Sequence, residues 1–422
     1  MNYPDSVHFL YALGNEIKTA KLGLERIRAV LEALGNPQDR CRFVHVAGTN
    51  GKGSTCAMIE SALRVRGLRA GLFTSPHLAE PTERIRVNGE AVSDAEFAEA
   101  FNRVHACVEQ LLEAGKIDLH TTYFETVTAM ALLLFAERRA DVVVLEVGLG
   151  GRLDATNVVH PVLCVITPID FDHEQYLGRS LEAIAGEKAG ILKPGVPAVF
   201  SRQRPEAAAV LDRRAAELGI AVSRISDYRI EELQTDTRGS RFRIAGLEIH
   251  CPLAGEHQVG NAATAAVALL ELGVPPAVIE EGLARTRWPG RLERVSKNPE
   301  IILDGAHNPA GARALAAYIE RFYRNRRVRM IYGTMRDKSV AEIGGILFPL
   351  AQELIVTAPH QARALAPEAV LELADHPEAR TAASIADALA LVRGAAPEDA
   401  VFITGSLFLV AEARSLLCAV GA

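Results

Sequence analysis

The residues with the most pointed chemistry lie at 46–54, VAGTNGKGS, where three glycines are interleaved with a lysine and a serine. Gly48, Gly51 and Gly53 leave the backbone N–H groups of the turn, through Thr49 and Asn50, free to close on phosphate oxygens. A helix beginning at the lysine adds the positive end of its dipole. Lys52 supplies a point charge to β- and γ-phosphates, and Ser54 offers a hydroxyl to Mg²⁺. The alternative is a glycine-rich turn that merely ends a strand. The string departs from GxxxxGK[ST]: Gly48 precedes Gly51 by three, and Gly53 separates Lys52 from Ser54.

Other polar residues stand where a sheet would present them. Glu146 nearly closes the apolar run DVVVLEV at 141–147, at the strand end where open α/β sheets bind ligands. A lone carboxylate there is costly unless paired or on a metal. Asp172 and His173 follow another apolar run in the equivalent place. Ser54, Ser75, Glu146 and His173 together offer oxygens and one imidazole. Mg²⁺ favours oxygen, so the chemistry by itself treats His173 as structural. Lys188, in GEKAGI, reads from composition as an exposed helical lysine.

The elements that must position these residues alternate. Strands are expected at 43–47, 68–73, 141–147 and 162–167, with helices after 52, over 121–138 and over 180–191. Continuous β-branched runs between helices call for a parallel sheet covered on both faces. RFRIAGLEI, within 226–253, alternates with period two like an antiparallel hairpin. Helices follow near 260–272 and 275–285. A Pro-Gly pair at 289–290 breaks the pattern, and four apolar strands (301–304, 328–333, 353–358, 400–405) then predict a second, smaller doubly wound domain. The expected division is 1–289 and 290–422.

Motifs recur in order along the chain: GTNGKGS at 48–54, SPHL at 75–78, ERIRVNG at 83–89 and TYFET at 122–126. LEVGLGGRLDATN at 145–157, DHEQYLG at 172–178, GEKAGI at 186–191, PGR at 289–291 and LDGAHNP at 303–309 follow. This series resembles the bifunctional dihydrofolate synthase/folylpolyglutamate synthase family of the Mur ligase superfamily, from about LGLERI (22–27) to TGSLFLV (404–410). The resemblance implies a P-loop, mostly parallel α/β domain of the Mur ligase central type plus a Rossmann-like α/β C-terminal ligase domain closing over ATP and glutamate.

The resemblance further implies an ADP-forming ligase that joins L-glutamate to 7,8-dihydropteroate and to reduced folates through an acyl phosphate. Nucleotide contacts are implied at Gly48–Ser54, Asn261, Arg291 and Asp304, and metal ligation at Ser54, Ser75, Glu146 and His173. It also implies two Mg²⁺ ions, K⁺ as a further ion, and a carbamylated Lys188. Lys52, Lys188, His173 and His307 are the implied catalytic groups. The pteroate or folate site falls on Leu22, Gly23, Thr122, Tyr123, Phe124, Glu125, Leu153, Asp154 and Ala155. Asp154 stands out for pteroate recognition, and Phe124 serves either as a ring to stack on the pterin or as core packing. Lys21 replaces an acidic residue expected of the bifunctional type.

Composition sets the limits. Lys plus Arg is 46 and Asp plus Glu 52, a net charge of −6 that gives no footprint for nucleic acid. Six scattered cysteines without a CxxC pair indicate reduced thiols. No signal-like start and no apolar run approaching the roughly 20 residues that cross a bilayer are visible. A cytoplasmic monomer acting on small molecules is expected. Two competitors are a monofunctional or other Mur-type amide ligase, and a non-catalytic nucleotide switch. The glycine at 53 and the TYFE and LDATN strings argue against another Mur-type ligase, and Glu146, His173 and Asp304 together exceed the needs of a switch.

Overall fold

The structure is a computed structural model that describes residues 1–14, 23–374 and 376–419. The chain separates into two compact units. The first comprises 1–231, 243–249 and 260–286; the second comprises 232–242, 250–259 and 287–422. The main break, at Thr286/Arg287, lies three residues before the expected one, and two short stretches around 232–259 count with the second unit.

The first unit is built on eight strands: β1 (Arg42–Ala47), β2 (Ala70–Phe73), β3 (Ile85–Val87), β4 (Glu90–Ala91), β5 (Val142–Glu146), β6 (Leu163–Ile166), β7 (Ala198–Phe200) and β8 (Val222–Arg224). Their order is β4-β3-β2-β5-β1-β6-β7-β8. β2, β5, β1, β6, β7 and β8 are mutually parallel, and β3 and β4 form an antiparallel edge. The central strands are buried throughout because helices cover both faces. Phe43, Phe73, Val143 and Leu145 share one core with helices Asp94–Glu113 and Tyr123–Glu137. On helix Lys52–Val65, Ser61 Oγ donates to Gly282 O of helix Pro276–Ala284 at 2.7 Å, locking those two helices together.

Two capping boxes set where the long helices begin. Ser93 with Glu96 starts helix Asp94–Glu113, and Thr122 with Glu125 starts helix Tyr123–Glu137, each satisfying two otherwise orphaned backbone donors. The alternating segment expected at 226–253 forms β9 (Glu231–Thr235), β10 (Ser240–Ile244) and β11 (Leu247–Cys251), three strands in the order β11-β10-β9.

The second unit holds β12 (Glu293–Lys297), β13 (Glu300–Leu303), β14 (Val328–Tyr332), β15 (Glu353–Val356), β16 (Ala379–Thr381) and β17 (Ala400–Thr404). They run in the order β12-β13-β17-β14-β15-β16. All neighbours are parallel except β12 with β13. The four apolar strands expected from the sequence are the four central ones. β12 and β16 are additional, and they escape hydropathy because an edge strand is held by backbone pairing while its side chains face water. At the amino ends of the central strands Arg329 bridges Glu353 and Asp399 at 2.8 Å each, three charges that are nearly buried. Among the described residues no helix is long and apolar enough to cross a membrane.

Candidate active site

Sheet register brings the chemistry of the first unit to one edge. β1 lies between β5 and β6, with Val46 opposite Glu146 and Ala47 opposite Ile166. The turn after β1, the carboxylate ending β5 and the loop after β6 therefore emerge side by side at the carboxyl ends of parallel strands, where such sheets bind ligands.

The turn 48–51 is held from beneath by the loop after β6. Thr49 N and Asn50 N both donate to Pro168 O, at 2.9 and 3.1 Å, and Thr49 Oγ1 donates to Asp170 O at 3.0 Å. Gly48 has φ +148°, and a Cβ there would fall 1.8 Å from Thr167 Oγ1. Gly51 has φ +81° at the start of helix Lys52–Val65, and a Cβ there would fall 2.2 Å from Asn261 Oδ1. Both glycines are thus required by backbone conformation and by space. Asn261, buried on helix Glu256–Glu271, packs against the 48–51 turn, and Ser54 is buried in the first turn of helix Lys52–Val65.

Two lysines converge on this turn. Lys52 Nζ donates to Thr49 O at 3.1 Å and Lys188 Nζ to Gly48 O at 2.7 Å. Lys188 is 4% exposed, so it is the opposite of the solvated helical lysine that composition favours. Burial, reinforced by the charge of Lys52 and opposed by Asp172 and Asp154, lowers its pKa to about 7. Near neutral pH such a side chain has a neutral amine available, where an exposed lysine has almost none.

Glu146 is buried, and its Oε2 accepts from Ser75 N at 3.0 Å, so these two expected metal ligands do meet. His173 stands on the loop after β6 with φ +52°. Its imidazole is half-buried, with Nε2 3.9 Å from Asp172 Oδ1. Ser54 and Ser75 hydroxyls with the Glu146 carboxylate make an oxygen-rich donor set that suits Mg²⁺ beside a phosphate turn.

The residues expected at the pteroate site have less uniform roles. Asp154 is wholly buried and spends its carboxylate on its own loop, accepting from Leu149 N (2.8 Å), Thr156 N (3.0 Å) and the Thr156 hydroxyl. Burial raises its pKa, while those hydrogen bonds hold it down. It shapes the turn carrying Leu153 and Ala155. Phe124 packs on Phe73, with centroids 5.9 Å apart, and fills the space a side chain at Gly148 would need, only 2.4 Å from that Cβ. Thr122 and Glu125 cap their helix, and Glu125 also pairs with Arg26 at 3.2 Å. Gly23 is within the described residues beside Glu25, whereas Leu22 and Lys21 lie outside them.

Tyr123 belongs to a cluster that sequence reasoning missed. Arg84 lies over its ring at 5.1 Å, Tyr11 stacks against it, Arg84 Nε donates to His77 Nδ1 at 2.9 Å, and Tyr11 meets His77 Nε2 at 3.2 Å. Burial, with Arg84, lowers the His77 pKa to about 3, so it is a neutral acceptor for Arg84. The SPHL and ERIRVNG strings contain the signal, but only the fold reveals that they face each other.

In the second unit Asp304 ends β13. It accepts from Leu292 N and Ala306 N, both at 3.0 Å. Burial raises its pKa and Arg291 opposes that rise. Arg291 Nη1 donates to Gly290 O, and His307 Nδ1 to Gly305 O at 2.8 Å. Asn308 caps helix Pro309–Phe322. Arg291 is therefore anchored in its own turn, not a linker charge in water.

A doubly wound sheet with a phosphate turn, followed by a second α/β unit, defines a nucleotide-dependent ligase fold. Residues 46–269 match the Mur ligase middle domain, and residues 290–407 match the Mur ligase glutamate ligase domain. The chain is 38% identical over 432 residues to folylpolyglutamate synthase of Lacticaseibacillus casei, covering 99% of both. It is 35% identical over 416 residues to dihydrofolate synthase/folylpolyglutamate synthase of Bacillus subtilis, covering 94% of this chain and 95% of that one. Among solved structures, Mycobacterium tuberculosis folylpolyglutamate synthase complexed with ADP superposes with a TM-score of 0.92 at 33% identity, over 99% of both chains. The chain belongs to the Mur ligase superfamily, in its folylpolyglutamate synthase/dihydrofolate synthase family.

Proposed function

We propose that this protein is an ATP-dependent ligase that adds L-glutamate to 7,8-dihydropteroate, giving dihydrofolate, and to the γ-carboxylate of reduced folates, releasing ADP and phosphate. The observation that carries this reading is the phosphate turn braced by Lys52 and Lys188, in a chain that aligns end to end with enzymes of that name. The acceptor carboxylate attacks the γ-phosphoryl group in line, and ADP leaves. The glutamate amine attacks the resulting acyl phosphate, and the tetrahedral adduct collapses to an amide as phosphate departs. No side-chain nucleophile is required. The chain positions the reactants and stabilises charge, through Lys52 and the N–H groups of 51–54; those of Thr49 and Asn50, expected to face phosphate, are instead used on Pro168 O.

Ser54, Ser75, Glu146 and His173 are proposed to hold Mg²⁺, with a second Mg²⁺ and K⁺ as further ions. The oxygen donors and the Ser75–Glu146 contact support this assignment. Bound there, Mg²⁺ would neutralise phosphate charge. Lys188 is proposed to be carbamylated: the ammonium loses one proton, and the neutral amine then adds CO₂ and releases a second, so that a cation becomes an anion. Its burial and its pKa near 7 support this. Asn261, Arg291, Asp304 and His307 are the proposed nucleotide- and glutamate-handling residues outside the turn. The pteroate site is proposed around Gly23, Tyr123, Phe124 and the Leu153–Ala155 turn. A cytoplasmic monomer, with cysteines that stand singly and unbridged, completes the proposal.

The deciding experiment measures ADP release with L-glutamate and either dihydropteroate or a reduced folate. Stimulation by both acceptors is expected. Stimulation by the reduced folate alone would make the enzyme purely polyglutamylating, and none by either would overturn the reading.

A further inference from the structure

Three ligating side chains converge in the first unit, outside the site described above. His105 and Glu109 lie one turn apart on helix Asp94–Glu113, and His120 stands two residues before the Thr122 cap. Glu109 Oε1 is 3.8 Å from His105 Nδ1 and 3.6 Å from His120 Nε2, and all three ligand atoms lie within 4.8 Å of one another. Those separations are too long for hydrogen bonds. His105 Nδ1 and His120 Nε2 are both buried without a hydrogen-bond partner. Buried polar nitrogens in that state call for an explanation, an unseen ion among them.

The tautomer of His120 follows from its other nitrogen. Nδ1 is 2.8 Å from the carbonyl oxygen of Thr121, which can only accept, so Nδ1 carries the proton and Nε2 keeps its lone pair for Glu109 and His105. A histidine that donates one ring N–H to a backbone carbonyl and presents the other nitrogen outward has the usual arrangement of a metal ligand. Around the cluster the rings of Phe9 and Phe101 pack on His105, and Phe9 also packs on His120, forming an apolar wall on one side. Glu109 is half exposed on the other side, leaving an approach for an ion and room for water as a fourth ligand. Burial lowers the His105 pKa. Glu109 opposes this, and His120 and the N-terminal amine add to it.

We propose that His105 Nδ1, Glu109 and His120 Nε2 form a binding site for one divalent transition-metal ion of the zinc class. Zinc bonds of about 2.0–2.2 Å at tetrahedral angles put ligand atoms roughly 3.3–3.5 Å apart, a few tenths of an ångström inside the two separations to Glu109. Two imidazoles and one carboxylate favour Zn²⁺, Co²⁺ or Ni²⁺ over Mg²⁺, which selects oxygen. The ion would tie the segment entering helix Tyr123–Glu137 to helix Asp94–Glu113.

The test uses the full chain, stripped with a chelator and kept in excess Mg²⁺ and ADP so that the phosphate site is filled. Co²⁺ is titrated while its visible ligand-field absorption is followed, and Zn²⁺ is titrated against a chromophoric chelator. One equivalent is expected, weakened at least about tenfold in His105→Ala, His120→Ala and Glu109→Gln. Zn²⁺ should also raise the melting temperature of the parent protein but not of the variants. Glu109→Gln guards against misfolding, because Glu109 is half exposed and its substitution leaves no cavity. Absence of saturable binding, or binding that is equal in the parent and all three variants, would overturn the site and leave the histidines as core residues.

Discussion

Replacing Lys188 by methionine tests the reasoning about the buried amine most sharply. The side chain has a pKa of about 7 in the fold, against 10.5 for an unburied lysine, chiefly because burial disfavours the charged form. Below pH 7 both folded and unfolded chains hold the proton, and the fold carries the full penalty of burying a cation. Above pH 7 the folded chain releases it while the unfolded chain keeps it until about 10.5. The unfolded state then binds more protons, so this group's contribution to stability rises with pH across that window. At about 1.4 kcal/mol per unit the whole shift corresponds to about 5 kcal/mol, of which about 2 kcal/mol falls between pH 7 and 9. Methionine keeps the aliphatic stem and cannot titrate. Urea unfolding of both proteins in CO₂-free buffer should show the parent gaining about 2 kcal/mol on Lys188→Met between pH 7 and 9, since other titrating groups are common to both. A difference that stays flat across that range would refute the buried, depressed amine and remove the chemical support for carbamylation.

Gly48→Ala should cost about 100-fold in kcat and weaken ADP binding in calorimetry, because the new Cβ meets Thr167 Oγ1 at 1.8 Å and displaces the turn; an unchanged ADP affinity would count against the phosphate site. Asp154→Asn should destabilise the fold by about 2 kcal/mol in urea and raise KM for dihydropteroate, since an amide cannot replace both acceptor oxygens used by Leu149 and Thr156; unaltered stability would show that those bonds contribute little. Arg329→Met should destabilise the second unit by about 3 kcal/mol by stranding Asp399 as a buried charge and leaving Glu353 with Arg380 alone. This is measurable by scanning calorimetry, and retention of the parent transition would refute it.

The sequence by itself determined the chemistry that depends on contiguous residues. The VAGTNGKGS turn, the buried runs that became β1, β5 and β6, and the four central strands of the second unit were legible because period, glycine placement and strand length are local properties. So was the position of Glu146 at a strand end. Tertiary structure decided what depends on residues far apart in the chain. It buried Lys188 against Gly48, 140 positions away, and thereby lowered its pKa to about 7. Asp154 was turned into its own loop, Phe124 was packed on Phe73, and His77 was set on Arg84 beside Tyr123. It also brought His120 to the helix that carries His105 and Glu109. The reason is physical. A side chain's pKa and its partners follow from desolvation and from neighbours within a few ångströms, and those neighbours are supplied by the packing of distant segments.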